Sequence, residues 1–521
     1  MNTLIVPVVR VVLGTGRRQT LTIPGIFAAL LRDEVESFPA LRPHQRHAWH
    51  AFLVQVGALA LHGAGMKDPP QEEEAWAALL RGLTPDYPDD EPWSLVALPN
   101  RPALLQPPLP SGNLGELKNL VATPDALDML VTSKNHDLKA EVMVEAGPND
   151  WLFALVTLQT MEGFLGAGNY GISRMNGGFA NRPALGIVPA GGLGDHVRRD
   201  ISRLLALRDG LAEAHGFAMS GGLGLLWLKP WDGATSLRSS ELDPYYVEIC
   251  RRVRLVDTNG RLSARAGGSK AQRVVPIPGG VTGDPWAPTV AEKDGTRKVF
   301  TADASGFGYR RMVRLMFRQD GVSMSPLQII VPDDADVGLV LLARALTRGQ
   351  GKTEGLHERR VMMSKRVKRG MAGTRDADRF AGAARDRVTI AGELQNRVLK
   401  PALLALFENG PDKIDYKDDG ADRRASSFLR RFDEHVDETF FPRLWDEFED
   451  GADQHAIRAA WVAGLVAFAR ALIEDADRGA SKALKRRYRA RARADGIFSG
   501  ALNRNTTINP YLPEPSRDHA A

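Results

Sequence analysis

Apolar residues recur along this chain with two different periods. Residues 4–13 are rich in Val and Ile and predict a strand. Residues 26–31 and 45–61 space their apolar positions three and four apart and predict helices; 150–161 predicts an apolar helix and 196–215 another helix. Residues 97–111 (ALPNRPALLQPPLPS) carry too many prolines for either pattern and predict extended or loop backbone. From about 222 to 335, β-branched and aromatic runs are separated by Gly, Pro and Asp, which predicts short strands and long loops. After about residue 375 the character changes. Residues 376–408, 425–448, 453–477 and 481–494 are Ala/Leu/Arg-rich helical segments with short breaks, and four such helices pack most economically as an antiparallel bundle.

The predicted fold class is therefore α+β. A large, irregular mixed domain spans 1–370 and a four-helix bundle spans 376–500, with the boundary near 365–378. A polar, proline-containing tail over 504–521 is expected to be flexible.

Composition adds little to that division, but the placement of charge adds more. The 521 residues are 43% hydrophobic and 25% charged, with a net charge of +5, as in ordinary globular proteins. Residues 359–399 hold eleven Lys/Arg against four Asp/Glu, and 478–494 hold eight Lys/Arg and no acid. Residues 433–453 carry nine Asp/Glu and one Arg. Each run reads either as a solvated helix face or as a surface for a partner. The single cysteine, Cys250, excludes an intrachain disulfide and a cysteine-cluster zinc site, and it fits a buried structural thiol in a reducing cytoplasm. The N-terminus lacks a basic segment and a cleavage-type site, so no signal peptide is expected. The longest apolar run, 459–473, is interrupted by Arg470, so no membrane association is expected.

Two segments carry candidate chemistry. Residues 348–360 read Arg-Gly-Gln-Gly-Lys-Thr-Glu-Gly-Leu-His-Glu-Arg-Arg. They invite a phosphate-loop reading, but the glycine required five positions before Gly351 is Leu346. His357-Glu358 resembles the start of a zinc-protease helix, but the second histidine is replaced by Val361. A basic hairpin or loop presenting Gln350 outward is the reading that remains. The other segment, 163–178 (GFLGAGNYGISRMNGG), has six glycines beside Asn169, Ser173, Arg174 and Asn176. Backbone with so few Cβ atoms either forms a plain loop or approaches another backbone or a nucleic-acid groove closely.

With Leu105-Gln106 after the proline-rich turn, GDPWAP at 283–288 and the C-terminal helices, the order of these motifs resembles the CasA family, the large subunits of type I-E CRISPR Cascade surveillance complexes. The resemblance runs through most of the chain. It implies a non-catalytic protein without cofactor or metal, whose partners are guide CRISPR RNA, target double-stranded DNA, the other Cascade subunits and a recruited helicase-nuclease. It implies that the N-terminal domain reads the protospacer-adjacent motif (PAM) and starts duplex opening, and that the bundle stabilises the opened loop. The family's glycine loop falls on Gly166, Gly168 and Asn169, and its minor-groove lysine on Lys270. Its glutamine wedge falls on Gln350, flanked by Gly349, Gly351 and Lys352. Its guide-handle loop falls near 131–139, on Val131, Thr132, Ser133, Lys134, Asn135 and His136. The cysteine-rich motif that some members carry before the lysine is absent, and the family's N-terminal Pro-Trp-Ile-Pro is reduced to Val6-Pro7-Val8-Val9.

These residue types suit that work. The minor groove separates A·T from G·C and little else, so short glycine turns and one long cation are adequate readers. Opening a base step costs about 1.4 kcal/mol of stacking, which a glutamine side chain with both donors and acceptors can help offset. Lys352 would hold a neighbouring phosphate, and the basic run 359–399 would track the displaced strand. A helical-bundle adaptor without direct DNA readout is the alternative, and it would leave Gln350 and the glycine loop idle.

Overall fold

A computed structural model of the protein describes residues 1–127, 143, 145–175, 182–332, 334, 338–349, 352–372, 374–479 and 484–512. Strands β1 (Val9–Leu13) and β2 (Arg18–Leu21) lead to α1 (Ile23–Leu31), β3 (Val35–Ser37), α2 (Arg46–Gly63), α3 (Glu73–Gly82), β4 (Asn119–Val121), α4 (Pro148–Met161), β5 (Ala184–Pro189) and α5 (Leu193–His215). Next come β6 (Leu223–Leu225), β7 (Leu242–Val247), β8 (Arg252–Thr258), β9 (Arg261–Gly267), β10 (Thr289–Ala291), β11 (Arg297–Val299), α6 (Tyr309–Met316), β12 (Val322–Ser323), β13 (Leu339–Gly349) and β14 (Lys352–Met363). The remainder is helical: α7 (Lys365–Ala372), α8 (Thr374–Glu393), a π-helical turn over Leu394–Leu399, α9 (Lys400–Phe407), α10 (Asp419–Asp446), α11 (Gln454–Arg478) and α12 (Leu484–Arg504). The chain forms two compact units, Met1–Phe307 with Arg318–Met362, and Gly308–Phe317 with Met363–Ala521.

The mixed unit is built around α2 and α4, which are buried along most of their length. Trp49 on α2 meets Phe153 on α4 edge-on at 5.0 Å and stacks on Phe52 at 5.7 Å. Each such side chain contributes about 1.5–3 kcal/mol by leaving water. Small sheets surround these helices, in the orders β2-β1-β3, β4-β9-β8 and β14-β13-β5. In the last, β13 pairs antiparallel with β5 from Leu339 opposite Pro189 to Arg344 opposite Ala184. The strand expected over 4–13 is shorter. Its first half is a turn, closed by Val6 N on Asn2 O at 2.8 Å and anchored by Thr3 N on Trp93 O at 3.0 Å. Leu4 is buried there without a strand partner, so its apolarity reports burial rather than extended pairing.

In the helical unit, α8, the π turn and α9 run on continuously, and α10, α11 and α12 complete four long helical segments. The π turn ends two residues before Pro401, whose missing N–H and ring disturb the regular ladder. Helix α12 continues well past the expected stop at 494. Ala490, Ala494, Phe498 and Leu502 are all buried at a spacing of four, and that stripe sustains the helix across Gly496 and Gly500. The tail expected from 504 is docked at its start: Ile508 is fully buried and the Tyr511 ring lies 5.3 Å from His455. Residues 513–521 lie outside the described residues.

Helix α6, read from sequence as part of the mixed domain, belongs to the helical unit. Its buried face includes Tyr309, Met312 and Val313, and the Tyr309 ring packs 4.9 Å from Phe440. Arg310 pairs with Asp433 at 3.0 Å. The charge runs also differ from uniform surfaces. Arg387, from the basic run, and Glu447, from the acidic one, are both fully buried and paired at 2.7 Å. Arg458 meets the other oxygen of Glu447 at 2.7 Å. In the C-terminal basic run, Arg487 pairs with Asp477 and Arg491 with Asp495. Helix α11 is long and apolar enough to cross a membrane by length and composition. Its buried residues Trp461, Val462, Leu465, Ala469, Leu472, Ile473 and Ala476 recur every three or four positions, as on a helix packed on one face.

Candidate nucleic-acid interface

Helix α4 ends at Met161 and Glu162 follows in extended backbone. The glycine-rich loop closes where Ile172 N donates to Glu162 O at 3.0 Å. Its tip is a tight turn, with Asn169 N on Gly166 O and Leu165 N on Asn169 O, each at 2.9 Å. Gly166 has φ +110° and Gly168 φ +86°, where an L side chain costs about 1–2 kcal/mol. At the loop's base a Cβ on Gly171 would lie 2.6 Å from the Gly163 carbonyl carbon, so the two strands of the loop approach too closely for any other residue.

The loop is held from beneath by side chains. The Arg251 guanidinium donates to Gly163 O at 2.9 Å and also to Tyr170 O, and Gln272 donates to Gly171 O at 3.2 Å. Arg251 is fixed in turn by fully buried Gln159 on α4. The Gln159 amide accepts from Arg251 N at 2.8 Å and donates to Arg251 O at 3.0 Å.

After β9 the chain passes directly alongside this turn. Ser269 N donates to Gly168 O at 3.0 Å, and a Cβ on Gly268 would reach that same oxygen at 3.4 Å. The next residue, Lys270, is anchored through its backbone N to Gly233 O at 2.6 Å. Its side chain is exposed and makes no hydrogen bond or ion pair among the described residues. Asn169 is exposed on the adjoining turn. Gly166, Gly168, Asn169 and Lys270 therefore come together at one surface.

Strands β13 and β14 are neighbours in their sheet, joined by Gln350 and Gly351. Those two residues lie outside the described residues, as do Val131, Thr132, Ser133, Lys134, Asn135, His136 and Asn176. Gly349 ends β13 and Lys352 begins β14. The hairpin is braced across its strands by Thr347 Oγ1 on Gly355 O at 3.2 Å, His357 Nε2 on Thr347 Oγ1 at 3.2 Å and Arg344 on Glu358 at 2.6 Å. Arg348, one residue before Gly349, turns inward and pairs with Glu162; both side chains are almost fully buried. The hairpin base and the start of the glycine loop thus share one ion pair. Glu162, Arg251 and Arg348 were not singled out from sequence. The available signal was a carboxylate between an apolar helix and a glycine-rich segment, and an arginine within an apolar strand.

No known family profile matches this chain and no curated protein does, but solved structures do. Thermobifida fusca Cse1 superposes with a TM-score of 0.68 at 13% identity, over 98% of this chain and 99% of its own. Thermus thermophilus CasA does so with a TM-score of 0.64 at 16% identity, over 96% and 99%. The chain has the CasA fold. A chain described as part of a CRISPR RNA-guided surveillance complex also superposes, with a TM-score of 0.59 at 14% identity over 96% and 99%.

On this CasA fold several remaining motifs are structural. In GDPWAP, Asp284 forms a two-pronged pair with buried Arg182 at 2.5 and 2.8 Å, and Trp286 is buried beneath. Gln106 is fully buried, donating to Leu95 O at 2.9 Å and accepting from Leu255 N at 2.6 Å. Cys250 is buried with its thiol on Leu158 O at 3.1 Å, and burial pushes its pKa up to about 12, so it is a poor nucleophile. His50, His196 and Asp200 also converge, a cluster that sequence reading missed because its members come from α2 and α5. One Asp200 oxygen takes both imidazole Nε2 atoms, at 2.8 and 3.3 Å, and the rings lie face to face at 3.8 Å. As placed, the cluster is a hydrogen-bonded strut between two core helices. Burial pushes the His196 pKa down to about 4, outweighing the opposing pull of Asp200.

Proposed function

We propose that this protein is the non-catalytic large subunit of an RNA-guided type I-E Cascade complex, working in the cytoplasm. In this reading the turn at Gly166–Asn169 enters the minor groove of a PAM duplex, where its positive-φ glycines keep Cβ atoms out of the way. Lys270 reaches base-edge acceptors from the adjoining backbone. The Gly349–Lys352 hairpin lies at the first base step, with Gln350 filling the space of the unpaired base. Residues 131–136 grip the guide RNA handle, and the helical unit meets partner subunits, the opened loop and the recruited helicase-nuclease. Sequence specificity beyond the PAM rests with guide pairing.

The observation that carries this reading is the meeting of an exposed lysine with a positive-φ glycine turn. Two loops from distant parts of the chain are hydrogen-bonded so that Asn169 and Lys270 project beside exposed glycine-turn backbone. That arrangement suits groove entry, where a broad side-chain surface would clash. The fold shared with a surveillance-complex chain supports the assembly part of the reading.

The test is duplex binding by the complex reconstituted with guide RNA and partner subunits, with and without a functional PAM. Lys270→Ala is expected to weaken PAM-dependent binding, and Gln350→Ala to slow strand opening while sparing initial binding. Wild-type behaviour in both variants would move the protein to the adaptor reading.

A further inference from the structure

We infer that the buried Glu162–Arg348 pair couples the groove-reading loop to the base of the duplex-opening hairpin, so that each holds the other in place for strand opening. This inference rests on the proposed function and deepens it.

The geometry is specific. Glu162 directly follows α4, whose residues from Trp151 to Met161 are buried, so its backbone has a rigid support. Its backbone oxygen closes the glycine loop through Ile172 N at 3.0 Å. Its carboxylate accepts from Gly163 N at 3.0 Å and from the Arg348 guanidinium. Arg348 lies in β13 one residue before Gly349, and both side chains are within 2% of complete burial. One carboxylate thus holds the first peptide of the loop and the last inward-facing side chain before the hairpin tip.

A surface pair would tolerate independent movement of its two loops, because water replaces a lost partner at little cost. A buried pair does not, since separating the charges leaves each without solvent. Because α4 supports Glu162, the pair holds Arg348, and with it the end of β13, in place beside the first peptide of the loop. The pair is a contact between two elements of the kind through which a coupling free energy passes. Glu162 and Arg348 are positioning residues, since neither is exposed to touch DNA.

The test uses the reconstituted complex with Glu162→Gln, Arg348→Gln, the double variant and Arg348→Lys. Binding to PAM and non-PAM duplexes is measured separately from strand opening, the latter by 2-aminopurine fluorescence at the first base pairs. We expect Glu162→Gln to keep PAM-dependent binding and to slow opening about tenfold, within the range of ordinary coupling energies. The double variant should be no slower than either single one, Arg348→Lys should recover part of the rate, and a pre-opened duplex should restore all variants. Opening at the wild-type rate in Glu162→Gln would overturn the coupling. So would an equal loss of binding and opening not relieved by the pre-opened duplex, which marks general structural damage. If Glu162→Gln fails to fold, Arg348→Gln decides by the same criteria. If Lys270→Ala and Gln350→Ala are themselves silent, the proposed function fails and takes the coupling with it. If they act and the pair variants do not, only the coupling fails.

Discussion

The two units bury charge for different ends. In the helical unit, Arg387, Glu447 and Arg458 pair with one another between regular helices, whose backbone hydrogen bonds are already made. Beneath the glycine loop of the mixed unit, buried charged groups hold irregular backbone instead. Arg251 serves the Gly163 and Tyr170 carbonyls, and Glu162 serves the Gly163 amide. A loop has no ladder to satisfy its polar groups, so side chains must replace it. Losing charge in a helical bundle should therefore cost stability, whereas losing it beneath the loop should cost local order at the site.

The comparison can be broken in three places. The largest effect is expected for Glu447→Ala, which strands two arginines, one fully buried. It should lower the stability of the helical unit by about 3–5 kcal/mol, read from urea unfolding. A midpoint shift no larger than that of a surface substitution would remove the distinction. Arg251→Met comes next, leaving two carbonyls without their donor at a cost of about 1–3 kcal/mol. Hydrogen exchange at the Leu165 and Asn169 amides should accelerate far more than exchange in α4. If both regions accelerate equally, Arg251 supports the whole unit rather than the loop.

The smallest effect is a pH dependence from the His50–His196–Asp200 strut. His196 is held down to about 4 in the folded chain, against an ordinary value of 6.5. Between those values the unfolded chain binds the extra proton, so stability rises with pH across the window and is lost as pH falls. The loss should be about 1 kcal/mol over the first unit below 6.5. His47, also held low by burial, contributes with the same sign. His196→Asn should flatten the slope by its own share, measured as midpoint against pH, and an unchanged slope would show that His196 titrates normally.

Much of the architecture was legible because it is written in local periods. Helices α2, α4 and α5 stand within a few residues of their apolar patterns, while the change to continuous helix comes at Lys365, earlier than the shift in composition after about 375. Helix α12 runs past the expected 494 because a stripe of buried residues on its own face, Ala490 to Leu502, is completed only by packing. The two basic runs were read as surfaces because counting charges along a chain does not reveal which ones meet an acid from elsewhere. The glycine turn was visible as a cluster of glycines, but its need for positive φ is a property of the folded turn.

By itself the sequence determined the fold class, the positions of the main helices, the absence of a disulfide and the failure of the phosphate-loop and zinc-protease readings. These depend on residue type and on spacing along one segment. Only the tertiary structure decided that Lys270 adjoins Gly168, that α6 belongs with the helical unit, and that Arg348 turns inward to Glu162. Each of those joins residues far apart in the chain. Such pairings are selected by burial and by the need to satisfy every buried polar group, conditions that exist only once the chain has closed on itself.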